Sequence, residues 1–286
     1  MATEPRLLLD VTRSLRRLRH AYPSGIDRVE RAYIHWAMNR DAIFFAMLGS
    51  TCHILGKSGG QALLELLDGD EHPLDLGAYL RPDRNRRLRM GEALVRRHSI
   101  GRGARSIGQC GADVYLNTGH MNLTAAIIDG LAPMTRVALI HDLIPLEYPQ
   151  YARSNGPGLM LQRLKAACRA DHIVANSADT AERVVVASRR HGLSPPPITP
   201  IPLGIIPPTQ SVARETLSHF VCLGTIEPRK NHALLLDIWQ PDWPDLYIVG
   251  RRGWENRAVF QRLDRPAPNI LERNDLDDGE INRLVS

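Results

Sequence analysis

Nowhere in these 286 residues is there an apolar run near the roughly 20 residues that a membrane-spanning helix requires. The first apolar stretch, Leu7-Leu8-Leu9, is too short for the core of a secretory signal, so the chain reads as cytoplasmic. Cysteine is scarce. Cys52, Cys110, Cys168 and Cys222 lie far apart with no C-x-x-C pair, which argues against a disulfide framework and against a zinc site. Three of them sit in apolar or helical surroundings, where a thiol behaves as a small hydrophobe. No low-complexity block dominates, and 43% hydrophobic residues suffice for one large core or two ordinary ones.

Several phosphate and metal signatures are missing as well. Gly56-Lys57-Ser58 has Thr51 where a P-loop needs its first glycine. Gly101-Arg102-Gly103 is followed by Ser106 rather than glycine, and no strand is expected before it, so no dinucleotide fingerprint is present. Asp68-Gly69-Asp70 falls in what reads as an exposed turn. Glu272 and Glu280 bracket RNDLDDG, which has no ligand-loop pattern. No metal site is expected.

What is present is alternation. Apolar runs of strand type occur at 7–11, 43–48, 114–116, 137–140, 172–175, 198–203, 220–223, 246–249 and 269–271. Between them lie helical patterns, clearest after Ser24, where Ile26, Val29, Tyr33 and Trp36 recur at three- and four-residue steps and Ser24 is a natural N-cap. Further helices are expected at 158–170, 178–191 and 231–239. This order predicts an α/β fold with parallel sheets. Residues 194–208 hold seven prolines and set a boundary near 206, giving domains 1–205 and 206–286. The second offers three strands where an open doubly wound sheet usually has five or six, so it reads as incomplete and the chain as a fragment.

Four segments carry candidate chemistry. In FVCLGTIEPRKN (220–231) a strand stops at Gly224-Thr225, and Arg229 and Lys230 follow just before a helical pattern. That places two cations and backbone N–H groups at the carboxyl end of a strand, where α/β sheets hold phosphate-bearing ligands; the bland alternative is a solvated basic pair. Arg251 and Arg252 follow the next strand end, with at least one expected at the surface. Near the start, Gly25 opens a helix, where it either lets an anion approach the backbone or serves only the turn. In VALIHDLIPLEY (137–148), His141-Asp142 ends a strand: the imidazole either orients a substrate hydroxyl or acts in acid–base chemistry, or it is satisfied locally by Asp142. For Asn176-Ser177 a structural helix cap is the favoured reading.

The net charge of +5 is concentrated in residues 81–105, with nine arginines against Asp83 and Glu92. Such a segment suits a solvated helix face or an anionic membrane surface. No aromatic residue is interleaved to stack bases, so no nucleic-acid partner is expected.

Taken in order, DVTR…SGIDRV near the start, DVYLNTGHMN (113–122), ALIHDLIPLEYP (138–149), ADHIVANSADT (170–180), IPLGI (201–205) and LGTIEPRKN (223–231) resemble a GT-B glycosyltransferase of the large retaining family 4. HDLIP and GTIEPRKN are the most specific pieces. The resemblance implies two Rossmann-like parallel-sheet domains, the second incomplete here, with the active site in the cleft. It implies transfer of a mannose- or glucose-like hexose from a nucleotide diphosphate-sugar to a glycan or lipid-linked glycan in surface polysaccharide assembly. The anomeric configuration would be retained, with no cofactor and no metal. Arg229 and Lys230 match the positions that neutralise the departing diphosphate, Gly25 the glycine turn near the phosphates and sugar, and His141 the histidine beside the transferred sugar. Asp142, Gly224, Thr225 and Arg251 fall around the same cleft.

This sequence departs from the family in two places. Thr225 stands where many relatives carry arginine, and the glycine-rich stretch between two glutamates that grips the donor is missing. Peripheral contact of 81–105 with the inner face of the cell membrane fits a lipid-linked acceptor. The rival readings are a non-catalytic remnant that binds glycan or membrane, and a sugar-nucleotide epimerase of the same fold, which the RKN motif disfavours.

Overall fold

The computed structural model describes residues 4–20, 23–69, 85–204, 219–274, 276 and 278–285. Two compact units divide the chain: Met1–Leu143 with Gly158–Gly204, and Ile144–Pro157 with Ile205–Ser286. Residues 144–157, which the sequence reading placed in the first domain, go with the second. There the Arg153 guanidinium stacks 4.7 Å from the centre of the Trp254 ring.

The first unit begins β1 (Leu7–Asp10), α1 (Thr12–Arg17), α2 (Gly25–Met38), β2 (Ala42–Leu48), β3 (Thr51–Leu55), α3 (Lys57–Asp68), α4 (Arg86–His98) and β4 (Ser99–Arg102). It continues α5 (Ala104–Gln109), β5 (Val114–Asn117), α6 (Ala125–Gly130) and β6 (Thr135–Ile140). After the second unit's short α7 (Ile144–Glu147) come α8 (Gly156–Ala167), β7 (His172–Ala175), α9 (Ala178–Arg190) and β8 (Ile198–Pro200). The strands form one sheet in the order β4-β3-β2-β1-β5-β6-β7-β8. β2, β1, β5, β6, β7 and β8 run parallel, and β3 and β4 add antiparallel at one edge.

β1 is a short run buried at every residue because it lies between β2 and β5, with Leu7 opposite both Ala42 and Val114. From β1 the chain moves to β2 on one side and later returns to β5 on the other. The carboxyl ends of β1 and β5 are therefore a topological switch point, where the following loops diverge and leave a crevice. Leu9, Phe44, Leu55, Leu63 and Leu94 belong to the core on one face of the sheet. Gly60 of α3 packs against Phe44, and a Cβ there would come within 2.2 Å of the ring.

The sequence reading missed β3 and β4. Thr51–Leu55 interrupts its apolar residues with His53, and Ser99–Arg102 lies inside the arginine-rich run. Both are strands because of their neighbours, pairing through His53–Arg102 and Ile54–Gly101.

The second unit holds, besides α7 and a 3-10 turn (Pro149–Tyr151), β9 (His219–Leu223), a 3-10 turn (Pro228–Lys230), α10 (His232–Ile238) and β10 (Asp245–Val249). α11 (Arg257–Leu263), β11 (Ile270–Arg273) and α12 (Asp278–Val285) complete it. Its three described strands are parallel in the order β11-β10-β9. Ile226, Leu246, Ile248, Val259, Leu263 and Ile270 form its core. The α/β class and two parallel-sheet units match the expectation from sequence.

Among the described residues no helix is long and apolar enough to cross a membrane. The same residues contain no group of three or more His, Cys, Asp or Glu arranged to hold a metal ion.

Candidate active site

At the switch point of the first unit, Asp10 ends β1 with its carboxylate buried. It accepts hydrogen bonds from the Thr12 backbone N–H (2.9 Å), the Tyr115 hydroxyl (2.7 Å) and the amides of Asn117 and Asn122 (both 3.3 Å). Burial raises its pKa, and the bonds from Thr12, Tyr115 and Asn122 act in the opposite direction. Asn122 Nδ2 also donates to Thr12 Oγ1 at 2.7 Å, and that hydroxyl accepts from the Met47 N–H at 3.0 Å. Asn117 Oδ1 takes the His120 N–H at 3.0 Å. His120 and Asn122 both have left-handed backbones, with φ of 59° and 60°. Two such non-glycine residues in one short loop mark a conformation imposed by the surrounding bonds.

α1 and α2 meet this loop through charge. Ser24 caps α2, and its backbone N–H donates to the Asp27 carboxylate at 2.6 Å, one arm of a capping box. Arg13 and Arg17 each donate to Asp27, at 2.7 and 2.9 Å. Burial pushes the Asp27 carboxyl up, yet the Ser24 N–H with Arg13 and Arg17 holds it below its ordinary value. Gly25, the first residue of α2, is exposed, and a Cβ there would meet nothing within 4 Å. The backbone beside it is open on the side a side chain would cover.

His141 follows β6 and is buried. Its Nε2–H donates to the Thr118 carbonyl at 2.7 Å, which fixes the tautomer and leaves the Nδ1 lone pair as the acceptor. Burial lowers its pKa and the Thr118 bond opposes this. The His120 ring lies 5.1 Å away. Its pKa too is driven well down, by burial and by His141, so this pair is neutral near pH 7. Asp142 is half-buried beside His141 and acts to raise that histidine's pKa. The partner that holds the His141 ring is the Thr118 carbonyl.

In the second unit the loops after β9 and β10 close on each other. Gly224 N–H donates to the Val249 carbonyl (2.8 Å), Ile226 N–H to Arg251 (2.9 Å) and Gly253 N–H to Ile226 (3.0 Å). Gly250, at φ 149°, lies so close to Gly224 that a Cβ would come within 2.1 Å of the Gly224 carbonyl oxygen. Lys230 is exposed and folds back over Gly224, whose added Cβ would sit 3.4 Å from Lys230 Cε and 3.7 Å from Nζ. Thr225 is exposed in the same turn. Arg229 forms an ion pair with the buried Glu227 of its own loop. Burial raises the Glu227 pKa, and Arg229, Lys230 and Arg153 pull it back.

Gly25, His141 and Asp142 therefore belong to the first unit's sheet edge, and Gly224, Thr225, Arg229, Lys230 and Arg251 to the second's. Arg251 and Arg252 are both exposed, and Arg252 donates to Glu272 through two nitrogens, at 2.8 and 2.7 Å, and to Asp264 at 2.7 Å. Glu272 is thus a structural partner. Ser177 caps α9 by accepting the Thr180 N–H at 3.0 Å, as the structural reading had it. In the basic segment Arg81 and Arg84 lie outside the described residues. Arg87 donates to the Leu66 carbonyl at the end of α3, while Arg96, Arg97, Arg102 and Arg105 are exposed.

Sequence reasoning missed Arg13, Glu30, Asn117, His120 and Asn122. The signal for Arg13 and Glu30 was in DVTR and SGIDRVE, which offer a charged residue on each of two adjacent helices. It also missed His232, which is buried at the start of α10 with no hydrogen-bond partner on either ring nitrogen.

No family model matches this chain. Over 154 residues it is 28% identical to the serotype-specific mannosyltransferase WbdA of Escherichia coli, a match covering 44% of this chain and 18% of the relative. Another Escherichia coli WbdA is 26% identical over the same shares. The chain thus spans under a fifth of the length of the curated relatives it matches. Among solved structures, that of Phytolacca americana UGT2 complexed with UDP-2fluoro-glucose and pterostilbene aligns with 97% of this chain and 73% of its own. Its TM-score is 0.42 at 13% identity. In sequence, then, the chain is similar to bacterial glycosyltransferases.

Proposed function

We propose that this chain belongs to a retaining glycosyltransferase that moves a hexosyl group, mannose- or glucose-like, from a nucleotide diphosphate-sugar to a glycan or lipid-linked glycan of surface polysaccharide. The observation that carries the reading is the glycine turn at 224 with Lys230 laid over it and Arg229 beside it, within the stretch that most resembles such enzymes. The mannosyltransferase similarity supports the same chemistry.

In the proposed reaction the bond from the anomeric carbon to the donor phosphate oxygen breaks, and a bond from the acceptor oxygen forms on the face the nucleotide leaves. The acceptor proton passes to the departing phosphate oxygen. Negative charge grows on that oxygen toward the transition state, so Arg229 and Lys230 stabilise it more than the ground state. Arg229 does so against the pull of Glu227, which holds its guanidinium in place. The Nδ1 lone pair of His141 accepts from a hydroxyl of the transferred sugar, and Gly25 leaves room for the ligand against the α2 backbone. The reading calls for no metal and no further cofactor. A cytoplasmic location, with the exposed arginines of 96–105 resting on anionic lipid at the inner face of the cell membrane, fits a lipid-linked acceptor.

Incubating the protein with a panel of radiolabelled nucleotide sugars tests this directly. Transfer, or slow hydrolysis, of one donor is the expected result. A panel that yields neither, with no saturable binding of any nucleoside diphosphate, would overturn it.

A further inference from the structure

Glu30 lies on the buried side of α2, and the reaction outlined above does not use it. Its Oε1 accepts the Ser14 N–H at 2.6 Å, while Oε2 is buried with no hydrogen-bond partner. Gly119 sits directly on this carboxyl. A Cβ at Gly119 would fall 2.0 Å from Glu30 Oε2 and 2.8 Å from both Cβ and Cδ of Arg13. Arg13 in turn reaches three places: Asp27 (2.7 Å), the Ser24 hydroxyl (3.2 Å) and the Gly119 carbonyl (3.5 Å). Ser24 and Asp27 fix the start of α2, where Gly25 stands. The residue before Gly119 is Thr118, whose carbonyl holds the His141 ring.

We propose that Arg13 and Glu30 are a positioning pair that seats the Gly119 backbone and thereby holds the His141 imidazole and the Gly25 turn in one register. A bulkier or displaced contact at Gly119 moves the Thr118 carbonyl, and His141 then loses the bond that sets its tautomer. The catalytic importance of that register rests on the glycosyltransferase reading; the positioning itself does not.

The pair also carries a built-in pH dependence. Burial, with a contribution from Asp10, pushes the Glu30 carboxyl up to about 8, so it is neutral at pH 7. The groups facing it are Asp10 from β1, Arg13 and Ser14 from α1 and Tyr115 from β5. Ionisation places a negative charge beside Asp10 and draws on Arg13, which loosens the guanidinium from Gly119.

The test reads the ring nitrogens of His141 by NMR in the whole chain, with no substrate present. In the unsubstituted protein the Nε2–H tautomer should give way with a midpoint near pH 8, in step with Glu30. Glu30→Gln, which fixes the neutral form in nearly the same shape, should remove that transition. Arg13→Lys keeps the charge but cannot span three partners, and should shift the His141 signals at every pH. If a transferable donor is found, Arg13→Lys should also cut kcat by about 10- to 100-fold, with a much smaller change in KM. A transition that survives Glu30→Gln, or His141 signals unmoved by Arg13→Lys, would overturn the proposal. Ring signals that behave as expected in a protein that neither transfers nor hydrolyses any donor and binds no nucleoside diphosphate would leave the positioning intact and defeat the glycosyltransferase reading instead.

Discussion

The two sheet edges solve different problems with different materials. At the first unit's edge, apart from Glu30 Oε2 and Thr118 Oγ1, the polar side chains are buried and bonded: Asp10 has four donors, Asp27 three, and the His141 ring is tied to a backbone carbonyl. At the second unit's edge the backbone is zipped through Gly224 and Gly250, yet Thr225 and Lys230 stand exposed. Nearby, the Trp254 and Asn256 side-chain nitrogens are buried without a partner. The first arrangement fixes geometry before any ligand arrives. The second supplies positive charge and leaves donors unspent, which suits a highly charged ligand that completes the site on binding.

The largest loss of binding should therefore come from the second edge. Arg229→Ala with Lys230→Ala should weaken nucleoside diphosphate binding by roughly 100- to 1,000-fold, as expected for two charge-assisted contacts. Calorimetric titration checks this; unchanged affinity would move the donor site elsewhere. Next comes a pair of glycine substitutions within the first unit. Gly60→Ala drives a methyl into the Phe44 ring and should cost about 1–3 kcal/mol of stability in denaturant unfolding. Gly25→Ala meets open space, so its stability should hold while any ligand that approaches the α2 backbone binds less tightly.

A subtler test concerns pH. The folded-state value of Glu30, about 8, lies above its unfolded value, so its stabilising protonation is complete in acid and is lost as pH rises to about 8. Glu30→Gln does not pay that penalty. Relative to the unsubstituted protein it should gain stability between pH 5 and pH 8, on the order of a few kcal/mol, in thermal or urea unfolding. A constant difference across that range would show that the carboxyl ionises normally. The smallest effect is expected for Arg252→Ala, which breaks partly exposed ion pairs to Glu272 and Asp264. It should lower the thermal midpoint by only a few degrees and leave nucleoside diphosphate affinity as it was.

Much of this was legible in the chain. β1, β6, β7 and β10 are short apolar runs that only a strand buried on both faces requires, and Ser24 and Ser177 announced the helices they cap. The glycine-to-cation spacing of 224–230 was readable for the same reason, since every part of it lies in one loop. β3 and β4 were not readable, because an antiparallel edge strand owes its conformation to its partner more than to its own residues. Nor was the pairing of Arg252 with Asp264 and Glu272, which lie further along the chain and meet it only across the folded unit.

By itself, then, the sequence determined where most of the parallel strands lie and which polar residues follow β6 and β9, because strand burial and helix capping are local patterns. Tertiary structure alone decided that Arg13, Glu30, Gly119 and His141, drawn from four separate segments, act on one another. Hydrogen bonds and close backbone contacts between distant segments exist only once the sheet has brought β1, β5 and β6 side by side.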